Sequence, residues 1–546
     1  MQCGSNTILG WIVGESTPLR SLIIFSRNAL QKPRAGSYVV AEGPEGCMLG
    51  IVEAVSTGHR MLPSNVTDPE AVDTIVDWAI AQGADEDLYA RGAVRWLSLL
   101  DPLVNMGKVV SPKTPAPPGT RVYPAPPSVL SQVFASGKKG WIRLGKLPDS
   151  NVPFHIDVNS LTRHLAILAV TGGGKSNTVC ILARRIVEGL GGTMVIFDMH
   201  GEYKGILEDK GLEVNHSPAR INPATMTFHE LASLMRIPDN AHNQRRFLRW
   251  AWKATRHLYN SQRITAGEML ETVHYLLENL REIGRLMEQA KKNKSLAGNT
   301  NPLVDALIKA GLRPPRVTSE ESLAGILNRV EDFMEFYSDV LDPTVPLSLT
   351  QVIPPNKLTI FDLSIVDEQS ADAIVSHYMR RILQARKTHK SRGSGESYPV
   401  PVVLVVEEAH VLVPRDDSTL TKYWAGRIAR EGRKFGVGLT LVSQRPKNID
   451  ADVLSQTNNK IILRMVEPED IKYVQRASEE LSDDIASLLP GLNPGEAVVT
   501  GKMAVLPGLV RIDLCEGKKK GADIDMVAEW ESYREGGGDI DVDDFF

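Results

Sequence analysis

The sequence predicts an α/β protein with a small β-barrel at its N-terminus and an all-helical insertion within the sheet-forming part. Three observations predict it. The first ~55 residues hold short β-rich runs separated by turn residues, the pattern of a small barrel. Beyond residue 160, short apolar runs alternate with helical stretches, as in a parallel sheet covered by helices. Between these runs, residues 227–338 keep a helical period almost throughout. A chain of 546 residues has room for roughly two to four domains and for a sizeable core.

Taken in order, the barrel runs are Ile8–Gly14, Leu19–Phe25, Tyr38–Glu42 and Met48–Val55, with Gly43-Pro-Glu-Gly46 as a hairpin turn. Residues 73–100 allow helix or strand, and a helix is expected near their start, through Val76, Trp78 and Ala79. Residues 112–127 are too rich in proline for a helix and read as extended chain or linker. Residues 1–150 are the expected barrel domain with this linker. The α/β core is expected over 151–226 and 339–514, the insertion over 227–338 and an acidic, Gly-rich tail over 515–546. In the insertion, Leu270, Val273, Leu276, Leu277 and Leu280 form an amphipathic stripe. Core strands are read at 166–170, 193–198, 358–363, 402–406, 437–442 and 460–465, with two late ones at 497–500 and 505–514. A helix is expected from Gln369 to Lys387, followed by a polar loop from Lys390 to Ser397.

Composition is ordinary for a globular chain, with 42% hydrophobic and 23% charged residues and a net charge of −4. Any contact with nucleic acid must then come from local basic patches. Cys3, Cys47, Cys180 and Cys515 stand far apart with no CxxC spacing. They suggest neither a zinc site nor a redox pair, and a reducing interior is the simplest setting. There is no charged n-region followed by a long apolar run and no apolar stretch near ~20 residues. A soluble, cytoplasmic protein with no membrane segment is expected.

The chemistry centres on Ala166-Ile-Leu-Ala-Val-Thr-Gly-Gly-Gly-Lys-Ser-Asn-Thr178. An apolar run leads into three glycines; Val179, Leu182, Ala183 and Ile186 then mark one helix face. Strand, tight loop and helix in this order are the architecture of a phosphate-binding P-loop. Glycines let successive N–H groups of Thr171, Gly172, Gly173 and Gly174 turn inward toward phosphate oxygens, and the helix start adds partial positive charge. Lys175 can reach the β- and γ-phosphates of ATP, Ser176 can hold Mg²⁺, and Asn177 and Thr178 complete the nucleotide-binding stretch. The strict pattern has Gly where this chain has Ala169. The bland alternative is a Gly-rich turn in an ordinary α/β protein.

Val402-Val-Leu-Val-Val-Glu-Glu-Ala-His410 delivers two carboxylates to the end of an apolar strand, where ligands of such sheets sit. Glu407 would hold the metal or its water, and Glu408 would polarise the attacking water. Arg427, Arg430 and Arg433 share a helical face; one could reach a neighbouring subunit's phosphoryl group, or all could be solvated. Gln444, just after a strand, is either a reporter of hydrolysis or a plain loop residue. Arg380, Arg381, Arg386, Lys387, Lys390 and Arg392 form the densest basic cluster, either a solvated helix end or a DNA contact. Arg245, Arg246, Arg249, Lys253 and Arg256 pose the same choice.

With these motifs in hand, the chain resembles the HerA-type hexameric DNA translocases of archaea, in the HerA/FtsK branch of RecA-like ATPases. The resemblance spans nearly the whole length. It rests on the HAS-barrel-like N-terminus, Thr171–Ser176, Asp198-Met-His-Gly-Glu-Tyr203, Glu407-Glu408-Ala-His410, Arg430-Glu-Gly-Arg-Lys-Phe435 and Ser443-Gln-Arg-Pro446. It implies a RecA-like P-loop ATPase core, a homo-hexameric ring threaded by double-stranded DNA, and a NurA-type nuclease as partner in end resection. It also implies Glu408 as the catalytic glutamate, Arg433 as the arginine acting in trans, and Arg163 as a second arginine at a nucleotide site. Two other functions compete: a chromosome- or conjugation-type DNA pump, and a nucleotide-gated clamp that recruits a nuclease without translocating.

Overall fold

The computed structural model describes residues 7–29, 34–59, 62, 68–81, 88–203, 214–292, 302–478, 480–515, 526–527 and 530. The acidic run at 536–546 lies outside the described residues. The chain forms two compact units. Residues 1–190 with 438–518 make the first, and residues 191–437 with 519–546 the second.

The first unit opens with a closed barrel of six strands in the order β1-β2-β5-β4-β3-β6. They are β1 (Gly10–Ser16), β2 (Arg20–Phe25), β3 (Tyr38–Gly43), β4 (Gly46–His59), β5 (Leu88–Leu99) and β6 (Arg121–Pro124). Ile12, Ile23, Val39, Met48, Val94, Trp96 and Val122 fill its interior. Gly43 pairs with Gly46, so Pro44-Glu45 is the hairpin turn. The ambiguous 73–100 stretch divides into a helix, Pro69–Ala81, and the strand β5. Of the two readings of the Pro-rich stretch, extended chain holds at Arg121–Pro124. The Pro-rich stretch is more than a linker, because β6 lies within it, pairs with both β1 and β3, and closes the barrel. Its one proline, Pro124, stands at the strand's last residue, where a missing N–H costs least.

Past the barrel come β7 (Trp141–Lys146), β8 (Pro153–Asp157) and β9 (Leu165–Leu168), then the helix Lys175–Leu190. The second unit follows. Its strands are β10 (Met194–Asp198), β11 (Val214–Ser217), β12 (Leu358–Asp362) and β13 (Val402–Val406), parallel and in the order β11-β12-β10-β13. β10 is buried along its whole length, which is why it reads as a continuous apolar run rather than an alternation. Between β11 and β12, among the described residues, the insertion holds the helices Phe228–Leu234, His242–Asn260, Met269–Glu278, Leu280–Lys292, Pro302–Lys309 and Glu320–Phe336. Phe247, Leu248, Leu276, Leu277 and Val330 are buried among them. The long helix Glu368–Ser391 packs along the arginine-bearing helix Leu420–Phe435.

The chain returns to the first unit with β14 (Val437–Ser443), β15 (Asn459–Ile462), β16 (Glu496–Thr500) and β17 (Gly508–Ile512). β9 lies between β14 and β15 and is parallel to both. From β15 outward, β16, β17, β7 and β8 pair antiparallel. The sheet is therefore mixed where a parallel one was expected. The connection between β16 and β17 is too short for a crossover and permits only a hairpin. Barrel and sheet meet within this unit: Tyr38 Oη donates to Pro507 O at 2.6 Å and Ser482 Oγ to Glu53 at 2.6 Å. No described helix is long and apolar enough to cross a membrane.

Candidate active site

In the first unit, the four residues of β9 are all fully buried and aim the chain into the glycine loop. Gly172 (φ 72°) and Gly174 (φ 103°) occupy the left-handed region, open to glycine at little cost. A Cβ on Gly173 would stand 2.9 Å from the Ala169 methyl and 3.0 Å from Val170 O, so that position must stay bare. Ala169, the departure from the strict pattern, is itself buried. Lys175 opens the helix and folds back over the loop, with Nζ 3.4 Å from Ala169 O and 3.5 Å from Val170 O. Ser176 follows on the first turn. Thr178 is fully buried and donates to Gly174 O at 2.9 Å, bracing the loop from behind. Gln444 accepts from Thr171 Oγ1 at 2.6 Å, which brings these two sequence candidates together.

Asn177 faces elsewhere. Its amide donates to Asp513 O at 2.9 Å and accepts from Cys515 N at 2.8 Å. One turn further on, Cys180 is joined to Cys515 by a disulfide. This corrects the expectation of unpaired thiols: the exit of β17 runs beside the loop helix, so residues 335 positions apart come within 6.3 Å at Cα. Arg163 ends the short turn Val158–Arg163, half-buried, with no ion pair among the described residues. The next residue, His164, holds φ 65° while its Nδ1 accepts from Leu439 N at 3.1 Å. A glycine-lined turn opening onto the N-terminus of a 16-residue helix suits the phosphates of a nucleotide.

In the second unit, β13 ends at Val406 and presents Glu407 and Glu408. Glu407 is buried; its Oε1 accepts from Tyr203 Oη, and its Oε2 has no hydrogen-bond partner. Burial first, then the neighbouring Asp198, hold the Glu407 carboxyl well above the usual carboxylate range. A carboxylate oxygen buried without a partner is costly, and a cation would satisfy it, so the residue fits a metal-holding role. Among the described residues, no group of three or more His, Cys, Asp or Glu could hold a metal ion. A magnesium ion would therefore also draw on hydroxyl, water and phosphate oxygens.

The Asp198–Tyr203 string explains how Glu407 is held, a role that sequence reasoning missed. Asp198 Oδ1 accepts from the backbone N–H groups of His200 and Glu202, each at 3.2 Å, and Oδ2 accepts from that of Tyr203 at 2.9 Å. Gly201 (φ 70°) allows the turn. The chain thus winds around one buried carboxylate and sets the Tyr203 hydroxyl on Glu407. Burial pushes the Asp198 carboxyl upward, against the pull of those three N–H groups. Glu408 takes a left-handed backbone (φ 43°, ψ 46°), a conformation that costs a non-glycine residue on the order of 1 kcal/mol. Its Oε1 lies 3.5 Å from His200 Nε2, and its Oε2 lies 3.0 Å from His410 Nδ1 without forming a hydrogen bond.

The arginines separate by environment. The Leu420–Phe435 helix is capped by Thr419 and by Asp372, whose carboxylate accepts from Leu420 N at 2.9 Å and Thr421 N at 2.7 Å. Arg427 is paired with Glu431 at 3.1 Å. Arg430 and Arg433 are exposed and make no ion pair among the described residues. The cluster at 380–392 matches neither a solvated helix end nor a DNA contact at its three buried members. Arg380 pairs with Glu230 at 2.9 Å, Arg381 with Glu396, and Arg386 donates to Phe435 O and Tyr398 O, each at 2.9 Å. Lys390 and Arg392 remain exposed. In the second cluster Arg245 pairs with Asp239, Arg256 donates to Met226 O, and Arg249 lies over the Phe228 ring.

Comparison with known proteins adds the following. The family described as helicase HerA, central domain, matches residues 142–382, and the HAS barrel domain family matches residues 9–101. The DNA double-strand break repair helicase HerA of Sulfurisphaera tokodaii is 39% identical over 97% of this chain and 97% of its own. The protein of the same name from Sulfolobus acidocaldarius is 40% identical over 96% of this chain and 97% of its own. Among solved structures, VirB4 of Thermoanaerobacter pseudethanolicus overlays 71% of this chain and 99% of its own, at 16% identity and a TM-score of 0.44.

Proposed function

This chain belongs to the HerA helicase family and is a P-loop ATPase, and from that premise we propose that it is an ATP-driven motor on double-stranded DNA. In this reading six copies form a ring and work with a NurA-type nuclease, resecting the ends of double-strand breaks for recombinational repair. The cytoplasm, where the chromosome lies, is its expected place of work.

The Thr171–Thr178 stretch cradles the phosphates, with Lys175 neutralising the β- and γ-oxygens. Ser176 and Glu407 would hold Mg²⁺, which would supply positive charge at the triphosphate. Glu408 orients a water in line with the γ-phosphate and draws on its proton; its left-handed backbone turns the carboxylate off the strand axis. Arg433 reaches from the adjoining protomer and steadies the charge that spreads over the transferring group. Arg163 acts as a second arginine at a nucleotide site. Gln444, bonded to Thr171, senses whether the γ-phosphate is present.

The observation that supports this reading most is the pairing pattern on the arginine helix. Arg427 is engaged by its own chain, while Arg430 and Arg433 stand exposed without an ionic partner among the described residues. The experiment is native mass measurement, with and without linear duplex and ATP, alongside ATP turnover. A ring whose turnover rises with duplex supports the motor. A lone polypeptide that hydrolyses ATP at full speed on DNA refutes it. A ring with no stimulation by duplex favours the nuclease-recruiting clamp, against which the paired Glu407 and Glu408 argue.

A further inference from the structure

We propose that the helical insertion carries a separate contact surface for a nucleic-acid phosphate backbone, in the groove between the Leu280–Lys292 helix and the proline strap that follows Leu312. The proposal rests on the DNA-motor reading and adds a second grip on the same polymer.

The groove, about 560 Å³, is lined by Arg281, Arg285, Arg313 and Arg316, with Glu288 among the acids. Sequence chemistry brings the four together. Arg281 and Arg285 are four residues apart and so share one helix face. Gly284 lies between them, and a Cβ there would stand 3.5 Å from the Pro314 ring, so the strap runs close over that face. Pro314-Pro315 keep the strap extended, which spaces Arg313 and Arg316 by ~9 Å. Its ends are fixed: Trp250 Nε1 donates to Leu312 O at 3.2 Å, and Arg246 donates to Arg316 O at 3.0 Å.

The charge state favours an anionic occupant. Residues 281–320 hold eight Lys and Arg against four Asp and Glu, in a chain of net charge −4. Arg313 and Arg316 are exposed and make no ion pair among the described residues. Arg285 is 69% exposed, 3.9 Å from Glu282; Arg281 is paired with Glu320. Elsewhere in the insertion Lys309–Asp305 at 2.8 Å and Arg245–Asp239 at 2.6 Å are close ion pairs. Guanidinium forks arrayed along an open groove suit a string of phosphates, each able to accept two parallel N–H bonds.

The test uses the full-length chain and a linear duplex, with binding measured from 50 to 200 mM salt. Each phosphate contact removed flattens the log–log salt dependence by ~0.9. The double variant Arg313→Ala/Arg316→Ala should therefore lose a slope of ~1.8. Its deficit relative to the unmodified protein should shrink about 12-fold over that fourfold salt range. Arg313→Lys/Arg316→Lys should keep the slope, and DNA-free ATP turnover should be unchanged in both, which separates lost charge from misfolding. Unchanged affinity and slope in the alanine variant, with duplex still bound by the unmodified protein, would overturn the groove and leave the motor standing. Failure of the unmodified protein to bind duplex would overturn both.

Discussion

Tyr203→Phe tests whether the Asp198 turn exists to serve Glu407. The phenyl ring keeps the packing of a buried residue and removes one oxygen. That oxygen makes the only hydrogen bond to the Glu407 carboxylate among the described residues, and the other carboxylate oxygen has no partner. Leaving a buried polar group unsatisfied costs about 1–3 kcal/mol, which lowers the population of the set carboxylate roughly 5- to 150-fold. If Glu407 holds Mg²⁺, that loss falls on metal use. The assay is ATP turnover titrated with Mg²⁺, beside binding of a fluorescent nucleotide in its absence. The Mg²⁺ needed for half-maximal turnover should rise within that range, while metal-free nucleotide binding stays put. An unchanged Mg²⁺ requirement would refute the reasoning. A drop in metal-free binding would show a damaged fold rather than a mis-set carboxylate.

Lys175→Ala and Glu408→Gln should each abolish turnover in a steady-state assay, the first with loss of nucleotide binding and the second with binding retained. Arg433→Ala should abolish turnover with ATP binding nearly intact, whereas Arg427→Ala, whose side chain is spent on Glu431, should lose little; normal hydrolysis by the Arg433 variant would pass the role to Arg430. Acid should loosen the insertion. Burial lowers the His377 pKa and outweighs the Glu230 carboxylate beside it; burial alone would raise Glu230, but His377 and Arg380 carry it below the usual range. The unfolded chain then binds more protons than the folded one below pH ~6.5 and again below ~4.3. Stability is full above the first value and falls with pH, so hydrogen-exchange protection factors at 228–234 and 368–391, each normalised to the intrinsic rate at its pH, should drop between pH 7.5 and 5.5. Reductant should lower the thermal midpoint by opening Cys180–Cys515, a clasp across 335 residues with an entropic ceiling on the order of 5 kcal/mol; Cys515→Ser should show a lower midpoint already in the absence of reductant.

The fold class was legible because burial writes itself into local pattern. Strands covered on both faces, such as β9 and β13, are runs of apolar residues, and the barrel strands carry their turn residues between them. β6 was hidden because proline composition outweighs a four-residue run. The antiparallel edge was hidden because pairing direction depends on connection length. At the site, the strand–loop–helix order placed Lys175 and Ser176 at the helix start, since that geometry is local. Tyr203 was missed because its partner lies 204 residues downstream, although an acid closing a strand before a glycine-containing string was a usable signal. The 380–392 arginines were misjudged for the same reason: Arg380 reaches Glu230, and the partners of Arg386 are backbone carbonyls, which composition cannot reveal.

The long helix Glu368–Ser391 is riveted over the turns from Arg380 to Arg386. Arg380 is fastened to the insertion through Glu230, Arg381 to Glu396 and the Leu347 carbonyl, and Arg386 to the last carbonyl of the arginine helix, at Phe435. These anchor points span only ~9 Å of helix, with no slack between them in which a hinge could form. A tug on the insertion would therefore arrive at Arg430 and Arg433 as displacement of a stiff spar rather than being absorbed on the way. Mechanical load and the timing of hydrolysis would be joined by a single rigid rod.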